Sequence, residues 1–494
     1  MLNGRNMTSS KSVIKNIHDK LISKNISCKE LTEKYFKKIN ESNLNAYVKL
    51  SEDTAYKTAE KVDKKIASGE KISPLEGIPM TLKDNISTDG IETTCCSKML
   101  KGYVPIYDAT VWKLLKNQNA VLLGKANMDE FAMGSSCETS CFGASFNPHN
   151  LSYVPGGSSG GAAAAVCGNI AAFGLGSDTG GSIRQPAGFC GIVGLKPTYG
   201  SVSRYGLIAY ASSFDQIGPI TQTVEDTAMV FDAISKYDPM DSTSNPNINF
   251  DTFSHLEDDV KGVKMGVPNQ YFDGIDEEVK QSIEKAVKVY KSMGIEVEYF
   301  DLPELRYSLP VYYILACAEA SSNLGRFDGI RYGYQTKNYS SIDEMICKTR
   351  SEGFGKEVQR RILLGTYVLS SGYYDAYYKK AQILRGTIVE AFKKAFDKYD
   401  VLLAPTSPTT AFKLNYTSKD PVKTYLMDIC TVPINIAGLP SVALPCGMDS
   451  KGLPIGMQIL GKAFSEQTIL NVAYQYEVFT DYSAFHRVDM GVKL

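Results

Sequence analysis

Two glycines stand directly before a serine in the stretch Asp178-Thr179-Gly180-Gly181-Ser182-Ile183-Arg184. Because glycine carries no side chain, the amides of Gly180 and Gly181 are left uncovered next to the Ser182 hydroxyl. Backbone donors in such a place stabilise a developing oxyanion, and losing one costs about 3 kcal/mol in the transition state. The stretch fits a nucleophilic serine beside an oxyanion hole, although a flexible surface loop has a similar composition.

A second run rich in serine and glycine lies upstream, at Pro155-Gly156-Gly157-Ser158-Ser159-Gly160-Gly161. It matches the G-x-S-x-G elbow of α/β-hydrolases, which also requires a histidine later in the chain. The chain has four histidines, at His18, His149, His255 and His486. The first lies on an expected helix, the second precedes the motif, and the third sits in a charged loop. Only His486 stays open as a partner, so the sequence disfavours a Ser-His-Asp triad.

A serine without histidine needs another base, and a buried lysine can take that role because burial lowers the lysine pKa. Lys83 stands near the end of Gly77-Ile78-Pro79-Met80-Thr81-Leu82-Lys83-Asp84, an apolar-leaning run that predicts a strand directed into the core. Taken alone, an ordinary surface lysine is the commoner explanation. The run becomes informative only together with the two serine motifs.

In these three motifs the chain resembles the amidase signature family. The resemblance runs without a visible gap from about Leu75 to Pro219, and a weaker similarity extends over nearly the whole chain. The resemblance implies a Ser–cis-Ser–Lys triad. Ser182 is then the nucleophile, Ser158 relays the proton after a cis peptide bond, and Lys83 is the base. It further implies an oxyanion hole formed by the backbone amides of Thr179, Gly180, Gly181 and Ser182.

Six further stretches are similar to the A-subunit family of glutamyl-tRNA(Gln) amidotransferases: residues 124–136, 184–187, 200–207, 318–324, 360–367 and 428–433. This resemblance implies hydrolysis of glutamine through a glutamyl ester on Ser182. Free glutamine carries an α-carboxylate and an α-ammonium, which Arg361 and Asp428 fit by charge. Arg360 is the alternative to Arg361, and an ordinary structural ion pair is the alternative for each residue.

The same resemblance implies a heterotrimer in which this chain supplies ammonia. The B subunit would use ATP and Mg²⁺ to convert Glu-tRNA(Gln) to Gln-tRNA(Gln), and Asp-tRNA(Asn) stays open as a second acceptor. A small C subunit would complete the assembly, and this chain would hold neither cofactor nor metal. With 53 basic and 54 acidic residues, the chain lacks the basic excess typical of nucleic-acid binding, so we expect charged tRNA to bind mainly the B subunit.

Two other functions are weighed against this one. The serious alternative is a free-standing amidase acting on small aliphatic or aryl amides, whereas a catalytically silent scaffold is disfavoured because all three triad positions are filled. Gly456-Met457-Gln458-Ile459-Leu460-Gly461-Lys462 partly resembles a phosphate-binding loop. It lacks the hydroxyl residue that should follow the lysine, and it lies in an expected strand.

The pattern along the chain predicts an α/β protein. Residues 10–70 have helical spacing with a capping box at Ser27-Cys28-Lys29-Glu30, residues 262–300 form a strand-helix-strand unit, and Val401–Pro405 reads as a buried strand. We expect one amidase domain over 1–494 with its signature core at 75–219. The resemblance implies one large mixed β-sheet covered by helices on both faces.

The sequence also predicts where the protein resides. Its beginning has no apolar segment typical of a secretory signal, no stretch is apolar and long enough to span a membrane, and the eleven cysteines form no CxxC pair. We therefore expect a cytoplasmic protein that makes no membrane contact and keeps its thiols reduced.

Overall fold

The computed structural model describes residues 12–416 and 421–480. Within them fifteen α-helices are present: α1 Val13–Ile22, α2 Cys28–Glu41, α3 Glu52–Ala67, α4 Thr110–Asn117, α5 Gly160–Cys167, α6 Arg184–Cys190, α7 Val224–Ile234, α8 Glu277–Ser292, α9 Ser308–Asn323, α10 Ile342–Gly353, α11 Lys356–Leu369, α12 Lys380–Lys398, α13 Pro421–Leu426, α14 Val432–Ala437 and α15 Glu466–Thr480. A π-helical turn, Tyr374–Lys379, leads directly into α12.

The described strands join in one 11-stranded sheet with the order β1-β3-β2-β4-β6-β5-β10-β11-β9-β7-β8. They are β1 Tyr47–Leu50, β2 Pro79–Lys83, β3 Val121–Ala126, β4 Phe173–Asp178, β5 Val193–Lys196, β6 Gln216–Thr221, β7 Lys264–Pro268, β8 Glu296–Phe300, β9 Val401–Pro405, β10 Ser441–Met448 and β11 Pro454–Gly461. Parallel pairs such as β2–β4 and antiparallel pairs such as β4–β6 both occur. The expected α/β fold with one large mixed sheet is confirmed.

Most local predictions are confirmed. Ser27 and Glu30 form the reciprocal capping box of α2, and β7, α8 and β8 build the strand-helix-strand unit. The N-terminal region is not purely helical, however. The short strand β1 interrupts it and pairs with β3 at the edge of the sheet. Residues 454–461 are strand β11, as expected for the stretch that imitates a phosphate-binding loop.

The middle of the sheet positions the motif residues. Strands β2 and β4 run parallel as neighbours, with Leu82 opposite Leu175. Since parallel neighbours end at the same edge of a sheet, Lys83 at the end of β2 lies beside Ser177 and Asp178 at the end of β4. Every residue of both strands is buried.

Helix α5 brings the upstream serine motif to the same edge. Its sequence Gly-Gly-Ala-Ala-Ala-Ala-Val-Cys is buried throughout, and the helix packs against β2 and β4. Small side chains allow a helix to lie close to a sheet. The loop that ends at Ser159, the residue preceding α5, is therefore held near the ends of β2 and β4.

Among residues 12–416 and 421–480, no helix is long and apolar enough to cross a membrane. The sheet draws its strands from residues as far apart as Tyr47 and Gly461, while the single domain over 1–494 stays a prediction. His486 lies outside the described residues.

Candidate active site

Lys83 is completely buried at the end of β2. Its Nζ donates to Ser158 Oγ at 2.7 Å, to Ser177 Oγ at 2.9 Å and to the Ser177 carbonyl at 3.1 Å. Burial lowers the pKa of Lys83 to about 8, although nearby carboxylates, chiefly Asp129, oppose the change. A lysine with this pKa is partly neutral near neutral pH and can accept a proton.

Ser158 follows a cis peptide bond from Gly157. The Gly157 amide donates to Gln185 Oε1 at 2.9 Å, and the Ser158 carbonyl accepts from the Asp129 amide at 3.2 Å. A side chain at position 157 would collide with the Asp129 carboxylate and with the backbone amide of Ser136. Glycine is therefore required here by close packing, and the packing fixes the Ser158 hydroxyl against Lys83.

Ser182 lies in the loop between β4 and α6 with 8% of its surface exposed. The Ser159 amide donates to the Ser182 carbonyl at 3.1 Å, which brings the two serine loops into direct contact. Gly181 has a φ of +135°, and a Cβ there would collide with the Thr431 side chain. The structure thus gathers Lys83, Ser158 and Ser182 at one edge of the sheet.

A buried ion pair holds the Ser182 loop. Arg184 donates from Nε and Nη2 to the two carboxylate oxygens of Asp178, each at 3.0 Å. Nη2 also donates to Asn435 Oδ1 at 2.6 Å. Burial alone would raise the pKa of Asp178, but the Arg184 guanidinium outweighs it and holds that pKa well below its usual range. Asp178 is consequently a permanent anion that organises the loop.

The four expected oxyanion donors are not equivalent. The Gly181 amide already donates to Asp178 Oδ1 at 2.8 Å, so it is not free to meet a substrate. Among the described residues no acceptor meets the amides of Gly180 and Ser182. The Thr179 hydroxyl donates to Asp215 at 2.6 Å. The Thr179 amide likewise meets no acceptor among the described residues, so the amides of Thr179, Gly180 and Ser182 are open to a substrate oxygen and that of Gly181 is engaged.

The two expected substrate-binding residues lie near each other. Tyr313 links them, since its hydroxyl donates to Asp428 Oδ2 at 2.8 Å while its ring centroid lies 5.2 Å from the Arg361 guanidinium carbon. Ser135 donates to the other Asp428 oxygen at 2.7 Å. Burial raises the pKa of Asp428 to about 6, although the Ser135 and Tyr313 hydroxyls oppose the change.

Arg361 and Arg360 differ clearly in position. The side chain of Arg361 is 3% exposed, whereas that of Arg360 is 42% exposed. Arg361 lines a cavity of about 390 Å³ together with Ser135, Ser136 and Tyr425, a volume within the range of small-molecule sites. Both arginines line this cavity and pair with Glu357. The geometry favours Arg361 as the ordered cation because its side chain is buried, whereas that of Arg360 is exposed.

Several contacting residues escaped the sequence analysis. Ser177 immediately precedes Asp178, and Ser135 falls inside a stretch that already carried family similarity, so both had a usable signal. Tyr313 had none, since it belongs to the largely apolar helix α9. Within residues 12–416 and 421–480, no group of three or more histidine, cysteine or acidic side chains is placed to hold a metal ion.

Comparison with known proteins places this geometry in a family. The model of the family named Amidase matches residues 30–470. The chain belongs to the amidase family. Within the amidases, it is 56% identical over 455 residues to the A subunit of glutamyl-tRNA(Gln) amidotransferase from Caldanaerobacter subterraneus, with 92% of this chain and 93% of that protein covered.

Solved structures of amidases have the same fold as this chain. The A subunit of glutamyl-tRNA(Gln) amidotransferase from Thermotoga maritima is 40% identical with a TM-score of 0.76, covering 95% of this chain and 94% of that one. A bacterial aryl acylamidase of the amidase signature family has a TM-score of 0.84 at 25% identity, covering 97% and 99%. The amidase fold is thus shared by both, while sequence similarity is higher to the amidotransferase subunits.

Proposed function

We propose that this amidase is the glutaminase subunit of a tRNA-dependent amidotransferase. The observation that supports this chemistry is the 2.7 Å hydrogen bond from buried Lys83 to Ser158. The loop of Ser158 is in turn hydrogen-bonded to the Ser182 loop through the Ser159 amide. The similarity to amidotransferase A subunits at 56% and 40% identity, against 25% for the aryl acylamidase, favours glutamine over simple amides.

In the proposed acylation, neutral Lys83 takes the Ser158 proton while Ser158 takes the Ser182 proton. Ser182 Oγ then attacks the side-chain carboxamide carbon of glutamine, and the free amides of Thr179, Gly180 and Ser182 are the donors available to the oxyanion. As the C–N bond breaks, the proton returns from Lys83 through Ser158 to the leaving nitrogen, which departs as ammonia. Water then attacks the glutamyl ester and gives its proton through Ser158 to Lys83. As the ester bond to Ser182 breaks, the proton returns through Ser158 to Ser182 Oγ and glutamate is released.

Recognition of glutamine follows from the charge of Arg361, which lines the cavity, and the charge of Asp428, which is hydrogen-bonded to the lining residue Ser135. Arg361 would pair with the α-carboxylate, and Asp428 with the α-ammonium. Asp428 accepts from the Ser135 and Tyr313 hydroxyls, and Arg361 donates to the Tyr210 hydroxyl, so neither is a mobile surface group. A charged pair so placed would reject an aryl amide, which carries neither group.

The rest of the reaction is assigned to other chains. We propose that the partner B subunit uses ATP and Mg²⁺ to activate the tRNA-linked glutamate and holds most of the charged tRNA, and that the heterotrimer is completed by a small C subunit. Glu-tRNA(Gln) is the proposed acceptor, with Asp-tRNA(Asn) as a second one. All eleven cysteines fall within residues 12–416 and 421–480, where none forms a disulfide, and this agrees with a proposed cytoplasmic location.

A glutaminase assay tests the proposal. Glutamate release from glutamine is measured for this chain alone, with the B and C subunits, and with charged tRNA and ATP added. We expect glutamine hydrolysis by the complex and little hydrolysis of propionamide or of an anilide. Efficient turnover of those simple amides by a chain that does not bind the other subunits would establish the free-standing amidase instead.

A further inference from the structure

The Arg361 guanidinium is held on two of its three nitrogens. Nε donates to Glu357 Oε1 at 2.8 Å, and Nη1 donates to the Tyr210 hydroxyl at 2.6 Å. No acceptor for Nη2 lies in the part of the chain that the structure describes. Because Arg361 also lines the 390 Å³ cavity, the third nitrogen is the one left for a ligand.

Aromatic rings restrict the same side chain. The guanidinium carbon lies 5.6 Å from the ring centroid of Tyr210 and 5.4 Å from that of Tyr425. The Tyr425 hydroxyl donates to Glu357 Oε1 at 2.9 Å, so the acceptor of Nε is itself fixed. An arginine loses considerable rotamer freedom on binding a ligand, and here most of that freedom is already removed.

Tyr210 is tied at its other end to the loop of the nucleophile. Its backbone amide donates to Asp215 Oδ2 at 2.9 Å, and Asp215 Oδ1 accepts from the Thr179 hydroxyl at 2.6 Å. Thr179 opens the loop that contains Gly180 and Ser182. Tyr210 thus lies between the candidate carboxylate-binding arginine, to which it is bonded directly, and the loop of the candidate oxyanion donors, to which it is linked through Asp215.

We propose that Tyr210 and Glu357 are positioning residues that select an amide carrying an α-carboxylate. They hold Arg361 with one guanidinium nitrogen facing the cavity, and Tyr210 sets the position of that nitrogen relative to the oxyanion donors. This inference rests on the proposed glutaminase function and deepens it, because it states how glutamine is distinguished from an amide without a carboxylate. Neither residue touches the reacting atoms.

The test is steady-state kinetics of the amidotransferase complex with L-glutamine. Tyr210→Phe keeps the ring and the backbone bond to Asp215 but removes the acceptor of Nη1. Glu357→Ala removes the acceptor of Nε. Each change is expected to raise KM about tenfold, which corresponds to about 1.4 kcal/mol, with kcat within about twofold of the wild type.

Two matched variants separate positioning from general damage. Glu357→Gln retains an oxygen that can accept from Nε, so we expect it to restore KM to within about threefold of the wild type. Tyr290→Phe removes the hydroxyl of a fully buried tyrosine in α8, where that hydroxyl has no partner among the described residues. It is expected to leave both constants unchanged.

An unchanged KM in both Tyr210→Phe and Glu357→Ala, or a fall in kcat without a rise in KM, would overturn the positioning roles. If Tyr210→Phe does not fold, the comparison of Glu357→Ala with Glu357→Gln decides alone. Loss of the proposed function looks different: the wild-type complex would fail to hydrolyse glutamine, or Ser182→Ala would stay active. If the wild type is active, Ser182→Ala is inactive and the positioning variants keep the wild-type KM, only the positioning inference is refuted and the proposed function stands.

Discussion

Lys83 can accept a proton only when it is neutral, so its pKa of about 8 determines how the glutaminase reaction depends on pH. Because the uncharged form is the active one, kcat/KM should rise with pH and level off above the pKa. For a single ionisation at about 8, the neutral fraction grows about 25-fold from about pH 6.5 to about pH 8.5. Glutamate formation at subsaturating glutamine, measured across this window at constant ionic strength, gives the profile directly.

Two lysine variants make the assignment specific. Lys83→Met should lower kcat by about a thousandfold, within the range found for loss of a general base. Lys196 is the matched control, because it is also buried, burial lowers its pKa to about 7, and its Nζ bonds the Pro197 carbonyl. Lys196→Met should keep the rise near pH 8. A wild-type profile that changes less than about threefold, or a rise that disappears in Lys196→Met, would refute the neutral-lysine mechanism.

Three further predictions follow from the surrounding residues. Arg361→Lys should raise KM for glutamine at least about tenfold while Arg360→Lys stays within about twofold, and equal effects in kinetic assays would remove the distinction between them. The pKa of Asp428 is about 6, so its negative charge is lost as pH falls through that value. KM should then rise below pH 6 in the wild type but not in Asp428→Asn, and parallel profiles would exclude its pairing with the substrate ammonium. Gly181→Ala places a methyl group against Thr431 at a φ of +135°. This change should lower kcat at least about a hundredfold and lower the midpoint of thermal unfolding. Wild-type kinetics in this variant would show that the loop tolerates a side chain at position 181.

The sequence singles out Lys83, Ser158 and Ser182 because each stands in a short motif, and the structure brings the three motifs together; their catalytic roles, implied by the family resemblance, stay a prediction. Gly157 and Gly181 are required by close packing around them, and such glycines are visible in a sequence as unusual runs. The apolar run around Lys83 and the scarcity of histidine made a lysine base worth considering, and the resemblance to the amidase signature family then assigned that role to Lys83. Strands with strong local patterns, such as Val401–Pro405, were equally predictable.

Contacts between distant parts of the chain could not be predicted in the same way. Tyr210 and Arg361 are 151 positions apart, and neither stretch indicates that the other is its neighbour. The hydrogen bond from the Gly181 amide to Asp178 depends on the backbone conformation of the loop between β4 and α6. Strand β1 has only four residues between two helices, too few for its alternation of apolar and polar residues to identify it. It is a strand because it pairs with β3.

The central claim is that Ser182 generates the ammonia that the complex uses. The most direct measurement compares Ser182→Ala with the wild type in formation of Gln-tRNA(Gln), once with glutamine and once with ammonium chloride as the nitrogen source. The account predicts no product from glutamine and undiminished product from ammonium. Product formed from glutamine by Ser182→Ala would contradict it.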